Sequence, residues 1–439
     1  MTKAKTQGGT SPGTHASRRK CRTCRACRKC RRVRVVGAVL LLALAAAALL
    51  VWLNVRGEHD GAAAAVSELP LAQRIERGRY LALAGNCAGC HTRRGGATLA
   101  GGRAIETPFG AVYASNLTPD IATGIGAWSA DDFWRALHNG RAKDGRLLYP
   151  AFPYPSYTQV TRADADALYA YLRSQPAVQQ RNRAHTLRLP YSTQAALAVW
   201  RALYFRPGVF NAQPQRSAEW NRGAYLVRGL GHCQACHGAR NALGASDRSV
   251  ELGGGLIPLQ HWYAPPLAAA DDVVALLKTG TTAHGSALGP MAEVVFGSTQ
   301  YLDDADLQAI ASFLRQLPAP RRAPRDAKAA DPAALQRGAA LYKDHCVACH
   351  GARGEGAAGA YPPLAGSRTL TMASPNNAVR VLLEGGFAPA TAGHPRPYGM
   401  PPFAQTLSNA QIADLVSYIR NAWGNRGPAV SELEVLRSR

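Results

Sequence analysis

The 439-residue sequence predicts an all-α protein of three tandem helical domains behind one N-terminal transmembrane helix. Two observations carry this prediction. The first is an uncharged run of nineteen residues at positions 35–53. The second is a pattern that occurs three times, in which two cysteines separated by two residues and followed at once by a histidine stand between a helix-like segment and a closing apolar-periodic helix.

The N-terminal segment is strongly basic. Residues 1–34 contain twelve lysines and arginines and no acidic residue, in a chain of net charge +23. Because a basic flank beside an apolar run is the positive-inside pattern, this charge favours membrane insertion over nucleic-acid binding. Residues 35–53 would span about 28 Å as a helix, close to the hydrocarbon thickness of a membrane. We therefore expect a disordered cytoplasmic tail at 1–34 and a retained anchor at 35–53, with Trp52 at the interface; a cleaved signal peptide is the alternative.

Six of the ten cysteines belong to the three C-x-x-C-H motifs. The motif residues are Cys87, Cys90 and His91; Cys233, Cys236 and His237; and Cys346, Cys349 and His350. This is the attachment pattern for haem c, in which the thiols add to the porphyrin vinyl groups and the histidine binds the iron. The sequence thus predicts three covalently bound haems c outside the cytoplasm, with His91, His237 and His350 as iron ligands.

The other four cysteines lie in the basic tail. Cys21, Cys24, Cys27 and Cys30 have no histidine after them, which excludes haem attachment there. Their last gap is one residue shorter than the bacterial ferredoxin spacing, so an iron–sulfur cluster is disfavoured. Their role stays open.

The repeated organisation resembles the class I cytochrome c domain. In that fold the first and last helices cross, with a small residue on one against an aromatic residue on the other. The resemblance implies that Gly78, Gly223 and Gly338 face Tyr171, Phe313 and Tyr418, respectively. The predicted domains are 69–180, 218–318 and 332–427, joined by a connector at 181–217 and a stiff linker at 319–331. We expect the connector helix near residues 195–205 to pack against the first domain, with a docking partner or the membrane surface as the alternative.

The sixth iron ligand is predicted for two of the three motifs. Met291 lies 54 residues after His237, and Met400 lies 50 residues after His350. These are the positions at which class I cytochromes carry a methionine ligand, which raises the reduction potential and suits electron transfer. The metal ligands are therefore predicted as His91, His237, Met291, His350 and Met400.

The first motif differs from the others because its domain contains no methionine. Phe152 occupies the methionine position, and a phenyl ring cannot bind iron. His138 is one substitute and His185 a weaker one, but His138 aligns with Lys278 and Glu384, which indicates an exposed helix end. An open sixth position is the preferred interpretation.

The loops around the axial histidines predict a second difference. Pro265 and Pro362 match the family's loop whose proline carbonyl accepts a hydrogen bond from the axial histidine, which fixes the ring. The first domain has Ser115 and Asn116 at this place instead. The first haem is therefore expected to be chemically distinct.

The most specific strings, at residues 107–110, 115–120, 123–126 and 148–157, resemble the triple-haem cytochrome subunit of bacterial membrane-bound dehydrogenases. That family serves alcohol, aldehyde and gluconate dehydrogenases, and similar subunits accompany molybdenum hydroxylases. The resemblance implies a subunit in the cytoplasmic membrane with periplasmic haem domains. It would accept electrons from a dehydrogenase catalytic subunit and pass them to quinone or a terminal oxidase, without substrate chemistry of its own. Two alternatives are a peroxidase-like or reductase-like enzyme using an open first haem, and a soluble electron carrier.

Overall fold

The computed structural model describes residues 24–58, 69–247, 249–268, 272–318 and 330–439, with side chains from Arg31 onward. It is predominantly helical, and short strand pairs lie between the helices. The predicted tail up to residue 23 and residues 319–329 of the predicted linker at 319–331 lie outside the described residues.

Helix α1, Cys24–Val55, contains the apolar run. Its segment Arg31–Val55 is long and apolar enough to cross a membrane, by length and composition. The helix begins at Cys24 and not at residue 35, so residues 24–34 are helical where the sequence predicts a disordered tail. Arginine and lysine are good helix formers, and extending an existing helix costs far less than nucleating one.

The first helical unit comprises α2 (Leu71–Ala84), α3 (Cys87–His91), α4 (Ala130–Asn139), α5 (Tyr154–Tyr157) and α6 (Arg162–Arg173). An antiparallel sheet joins β1 (Ala104–Thr107), β2 (Gly110–Tyr113) and β3 (Thr186–Leu187) in that order. Ser129 begins α4 with a capping box, and Thr161 caps α6.

The connector forms α7 (Gln194–Tyr204) and packs on the first unit, as expected. Arg201 is buried and donates a 2.5 Å hydrogen bond to the Asn139 carbonyl. The ring of Phe205 meets that of Tyr154 edge-on at 4.9 Å. The connector therefore belongs structurally to the first unit.

The second helical unit begins with α8 (Ala218–Tyr225), which continues as a π-helix over Leu226–Leu230. It continues with α9 (Gln234–His237), α10 (Val273–Thr279), α11 (Pro290–Gly297), a 3₁₀ turn (Thr299–Tyr301) and α12 (Asp304–Arg315). Two strand pairs are β4 (Gly255–Leu256) with β5 (Tyr263–Ala264), and β6 (Thr281–Thr282) with β7 (Gly285–Ser286).

The third helical unit comprises α13 (Pro332–His345), α14 (Val347–His350), α15 (Arg368–Thr371), α16 (Asn376–Glu384), α17 (Asn409–Ile419) and α18 (Glu432–Leu436). Strands β8 (Gly386–Phe387) and β9 (Gly399–Met400) pair antiparallel. Helix α18 buries Val435 completely and packs on α17, so this unit extends beyond the predicted boundary at 427.

In each unit the first helix crosses a later long helix at a glycine: α2 crosses α6, α8 crosses α12 and α13 crosses α17. A Cβ atom at these glycines would lie 1.9–2.3 Å from a backbone carbonyl oxygen of the facing helix, which no side chain tolerates. It would also lie 2.6–3.0 Å from the Cβ atom of the predicted aromatic partner. The pairs are Gly78 with Tyr171, Gly223 with Phe313 and Gly338 with Tyr418, so the predicted crossing is confirmed.

The three helical units do not each have a separate hydrophobic core. One cluster contains buried residues of both the first and the second unit, among them Leu81, Leu168, Leu230 and Phe313. The third unit has its own cluster, centred on residues such as Val379 and Val416. The first two units are therefore one folded body with a continuous core.

Asp306 joins these two units through hydrogen bonds. It is the third residue of α12 after the Asp303 cap, where a carboxylate also interacts favourably with the helix dipole. Arg222 of its own unit donates two hydrogen bonds to it, of 2.7 and 2.6 Å. The hydroxyl of Tyr80, from the first unit, donates a third of 2.7 Å.

A matching set of hydrogen bonds is formed with the roles of the two units reversed. Asp164 of the first unit accepts a 2.7 Å bond from Arg77 of its own unit and a 2.6 Å bond from the Tyr225 hydroxyl of the second. The exchange follows from the sequence, because each tyrosine lies two residues after the crossing glycine. The third unit has Ala340 at that position, and its pair of Arg337 and Asp414 receives no such tyrosine.

Replacing Gly223 by Ala should destabilise the chain by about 1–3 kcal/mol, because the methyl group would force α8 and α12 apart. Gly208→Ala is the matched control, since a Cβ atom there meets no atom within 4 Å. Thermal unfolding of both variants checks this. Equal midpoints for the two variants would show that the helix crossing is not closely packed.

Removing the two hydroxyls that reach the neighbouring unit, in Tyr80→Phe with Tyr225→Phe, should cost about 1.5–3 kcal/mol per hydrogen bond, since each acceptor is a carboxyl group. Burial by itself would raise the pKa of Asp306, but the hydrogen bonds from Arg222 and Tyr80 outweigh it and hold that pKa below its ordinary value.

A carboxyl whose pKa is depressed by folding stabilises the fold above its unfolded pKa of about 4 and loses that contribution as the pH falls further. The deficit of Tyr80→Phe alone, measured by thermal unfolding, should therefore shrink below about pH 4, because Asp306 is the acceptor that this variant loses. Tyr301→Phe, at an exposed tyrosine, is the control. A deficit that is the same from pH 7 to pH 3 would contradict a charged acceptor.

Candidate functional site: the C-x-x-C-H motifs

Each motif forms a short helical turn directly after the first long helix of its unit. The turns are α3, α9 and α14. Asn86 and His232 precede the first two turns with left-handed backbone, at φ 49° and 40°, which redirects the chain into the motif. Because residues three apart lie on one helix face, both thiols of a motif are presented together.

The histidines of the three motifs are oriented by backbone carbonyls. Nδ1 lies 2.7 Å from the Ser115 oxygen in His91, 2.7 Å from the Pro265 oxygen in His237 and 3.0 Å from the Pro362 oxygen in His350. A carbonyl can only accept, so Nδ1 carries the proton and Nε2 keeps its lone pair. Burial lowers the pKa of all three imidazoles, which favours the neutral form that binds metal. A neutral imidazole with an unprotonated Nε2 in each motif fits haem iron as a ligand.

The predicted lack of carbonyl support in the first unit is wrong. Ser115 supplies the carbonyl that a proline supplies in the other units. The neighbouring Asn116 is buried and holds this loop: its backbone N–H donates to Asn182 at 2.7 Å, and its side-chain amide donates to the Val178 carbonyl at 2.8 Å. A hydrogen-bond network therefore replaces the rigidity of proline, a substitution that residue identity does not reveal.

The two methionines lie on the core side of their units. Met291 is in the first turn of α11, after Pro290, and packs against the core shared by the first two units. Met400 is in β9, opposite Gly386, and packs against the core of the third unit.

Phe152 packs against the shared core, with its ring centroid 5.3 Å from that of Tyr157. Burial, followed by the neighbouring Cys87 and Cys90, raises the pKa of Tyr157, which shows that this aromatic pair lies beside the first motif. The Tyr157 hydroxyl also donates to the Gly85 carbonyl at 3.3 Å.

The two candidate histidines occupy different surroundings. The expected exposure of His138 is wrong, since its exposed fraction is 0%. It lies four residues after Trp134 on the buried face of α4 and stacks on that ring at 4.6 Å, with Thr158 3.4 Å from Nδ1. His185 accepts a hydrogen bond at Nδ1 from the Tyr113 N–H at 3.1 Å, beside the sheet.

The first two motifs lie close to each other. His232, directly before the second motif, has its ring centroid 5.4 Å from that of Tyr157. Arg103 donates to the Gly89 carbonyl inside the first motif at 2.6 Å and pairs with Glu293 of α11 at 2.8 Å. Burial raises the pKa of the Cys90 thiol, and Arg103, Cys236 and Glu293 are close enough to contribute. The sequence analysis did not predict that the first two motifs lie close together. The tyrosines that follow Gly78 and Gly223 were the feature of the sequence that could have indicated it.

Comparison with known proteins agrees with this geometry. The cytochrome c family profile matches residues 75–176 and 335–423. The cytochrome c subunit of a quinone-dependent alcohol dehydrogenase from Gluconacetobacter polyoxogenes is 37% identical over 382 residues, which cover 81% of each chain. The gluconate 2-dehydrogenase cytochrome c subunit of Pantoea cypripedii is 38% identical over 383 residues, covering 81% of this chain and 87% of that one.

One subunit of the nicotinate dehydrogenase of Pseudomonas putida is 42% identical over 374 residues, which are 82% of this chain but only 31% of that protein. The motifs, the carbonyl-bound histidines and the similarities to the alcohol and gluconate dehydrogenase subunits agree on one cofactor type, covalently bound haem c. The chain therefore belongs to the cytochrome c subunits of bacterial dehydrogenase complexes, which transfer electrons and are not the catalytic subunits.

Proposed function

We propose that the chain is a membrane-anchored cytochrome with three haems c, one in each helical unit, which carries electrons from a periplasmic dehydrogenase subunit to quinone or a terminal oxidase. The observation that carries this proposal is the threefold recurrence of a C-x-x-C-H turn whose histidine is bound by a backbone carbonyl. When bound, each haem supplies an iron that takes up and releases one electron.

The protein residues attach, orient and shield these groups. Cys87 and Cys90, Cys233 and Cys236, and Cys346 and Cys349 are the proposed attachment points. The carbonyls of Ser115, Pro265 and Pro362 hold the axial histidines in one orientation and keep Nε2 unprotonated.

For the sixth positions we propose Met291 in the second unit and Met400 in the third. Their packing on the core side of each unit supports this assignment. In the first unit we propose an open position beside Phe152. The stacking of His138 on Trp134 supports a packing role for that histidine.

The proposed location is the cytoplasmic membrane, with the haem-bearing units in the periplasm. The apolar segment Arg31–Val55 and the basic residues before it support an anchor inserted with its N-terminus in the cytoplasm. The haem-bearing residues come after the anchor in the chain, which would place them on the periplasmic side, where haem c is attached to proteins.

The proposed electron donor is a dehydrogenase catalytic subunit, by similarity to relatives whose names specify alcohol, gluconate and nicotinate dehydrogenases. The proposed open position beside Phe152 favours one alternative, a haem enzyme that reacts with a small molecule such as peroxide at the first unit. The electron-transfer function is preferred because all three units share one histidine geometry.

Native purification tests the donor. The chain isolated from its own membranes should co-purify with a dehydrogenase subunit, and adding that subunit's substrate should reduce the haem absorption bands within seconds, while the chain alone should not turn over peroxide. Pyridine haemochrome analysis should give three haems per chain. Peroxide turnover by the isolated chain, without reduction by any co-purified protein, would favour the enzyme alternative.

Ligand replacement tests the sixth positions. Met400→Leu should abolish one sulfur-to-iron charge-transfer band and lower the potential of one haem, because methionine ligation raises it. Phe152→Met should add a band of the same kind, and Leu370→Met, at a buried core position away from the proposed ligand, is the control. If Met400→Leu leaves the visible and near-infrared spectrum unchanged, the ligand assignment is wrong.

A further inference from the structure

Helix α7 has a buried face toward the first unit and an apolar face toward solvent. Leu197 and Arg201, four residues apart, are buried. Val199 and Leu203, also four residues apart, are 48% and 55% exposed. A surface helix usually turns its charged side chains outward and its apolar ones inward. In α7 the one charged residue, Arg201, lies inside, so the outward face has no charge of its own.

Exposed apolar residues continue from α7 toward the N-terminus. Leu189 is 78% exposed, and Tyr191 and Ala195 are exposed as well. We name Leu189, Tyr191, Ala195, Val199 and Leu203 the connector face. Single exposed apolar residues are ordinary on a folded protein, but five of them within residues 189–203 indicate a surface that something else covers.

The segment around the connector face is basic. Residues 181–217 contain six arginines and no acidic residue. Arg188 and Arg206, at the two ends of the connector face in the sequence, are exposed. An apolar face with basic residues at its ends suits the surface of a bilayer, because acyl chains accept the apolar side chains and anionic headgroups attract the guanidinium groups.

The C-terminal end of α7 is held to the segment that follows the apolar helix α1. The carbonyl of Phe205 accepts a 3.3 Å hydrogen bond from Arg56, which directly follows Val55, the last residue of α1. The next residue is bound to the same unit, because the Gly57 carbonyl accepts a 3.4 Å hydrogen bond from the side chain of Asn139. With α1 across the membrane, as proposed, the chain leaves the bilayer next to this contact. The end of α7 is then held at the bilayer surface.

We infer that the connector face lies on the periplasmic surface of the membrane, between the lipid headgroups and the first part of the acyl chains. The inference rests on the proposed membrane location and adds a second contact with lipid, made by the first helical unit itself. A protein partner is the other class of molecule that covers apolar faces. The bond between Arg56 and Phe205 and the excess of arginine favour lipid, because both place this segment beside a charged bilayer surface.

A second contact would fix the orientation of the haem-bearing units. A single spanning helix leaves the units that follow it free to tilt, whereas the eleven residues of α7 would add a line of contact about 16 Å long. Because the first two units share one core, that contact would orient both of them against the membrane.

Helix α18 provides a matched control face. Leu433 and Leu436, three residues apart, are 52% and 55% exposed, much like Val199 and Leu203. Unlike α7, however, α18 carries glutamates among its leucines, at Glu432 and Glu434. A headgroup surface with negative charge would repel them, so we expect this helix to stay in water.

The experiment uses the full-length chain with its haems, reconstituted into vesicles of phosphatidylethanolamine and phosphatidylglycerol. A small share of the phosphatidylglycerol carries a diazirine in one acyl chain. After illumination, the peptides that carry lipid are mapped by mass spectrometry. Adducts should fall within α1 and, separately, within residues 189–206. The adducts within α1 report the anchor alone.

Val199→Glu with Leu203→Glu should lower the yield of adducts at residues 189–206 by about tenfold, because carboxylates are excluded from acyl chains and repelled by anionic headgroups. The yield within α1 should not change. Leu433→Glu with Leu436→Glu should alter both yields by less than about twofold. Since all four positions are exposed, the haem absorption and the unfolding midpoint of each variant should match those of the unmodified chain.

The arginines are tested by changing the lipid. Arg188→Gln with Arg206→Gln should lower the yield at residues 189–206 by about threefold in the anionic vesicles. In vesicles of phosphatidylcholine alone, which have no net charge, the same pair should have no effect. An equal loss in both kinds of vesicle would contradict an attraction to anionic headgroups.

Adducts in α1 with none at residues 189–206 would overturn the inference and leave the proposed anchor intact. Equal effects of the two glutamate pairs would also overturn it. In the chain purified with its dehydrogenase subunit, chemical crosslinks from residues 189–206 to that subunit in place of lipid adducts would show a protein-docking face instead. No adducts in either segment would remove the proposed membrane location and this inference with it.

Discussion

The close approach of two helices at a glycine is the constraint on which the rest of this structure depends. With no side chain at Gly78 or Gly223, the first helix of a unit lies against the backbone of the last one. The arginine before each glycine then meets an aspartate near the start of the facing helix. The motif that follows inherits this geometry, because only two residues separate the end of α2 at Ala84 from Cys87. One backbone contact thus sets both the core and the position of the attachment turn.

The same constraint produces two kinds of junction between units. Tyrosines two residues after Gly78 and Gly223 reach into the neighbouring unit, and a continuous apolar core accompanies them. The second and third units meet differently: the Asn377 side-chain amide bonds the backbone N–H and carbonyl of Tyr263, both at 2.8 Å, while the core of the third unit stays separate from the core that the first two units share. Polar junctions of this kind resemble transient interfaces. The third unit can therefore shift against the second at a lower cost than the first two units can separate.

How far the sequence predicts this structure depends on the type of interaction. The glycine crossings and the proline carbonyls follow from the resemblance to the class I cytochrome c domain, the packing of the connector follows from its apolar helix, and the structure confirms all three. Ser115 was misjudged because any residue has a carbonyl, so identity carries no signal for a backbone acceptor. His138 was misjudged because alignment to Lys278 and Glu384 ignores Trp134 one turn earlier, which covers it. The positions of Tyr80 and Tyr225 after the crossing glycines are visible in the sequence, but that each hydroxyl reaches the aspartate of the other unit depends on how the two units pack.

The shared histidine geometry limits what could distinguish the irons of the three proposed haems. Because a carbonyl fixes each motif histidine in the same way, differences in reduction potential would come mainly from the sixth position and from burial. A position beside Phe152, without methionine, would have a lower potential than one bound by Met291. Electrons shared across the contact between Tyr157 and His232 would then collect at the second unit.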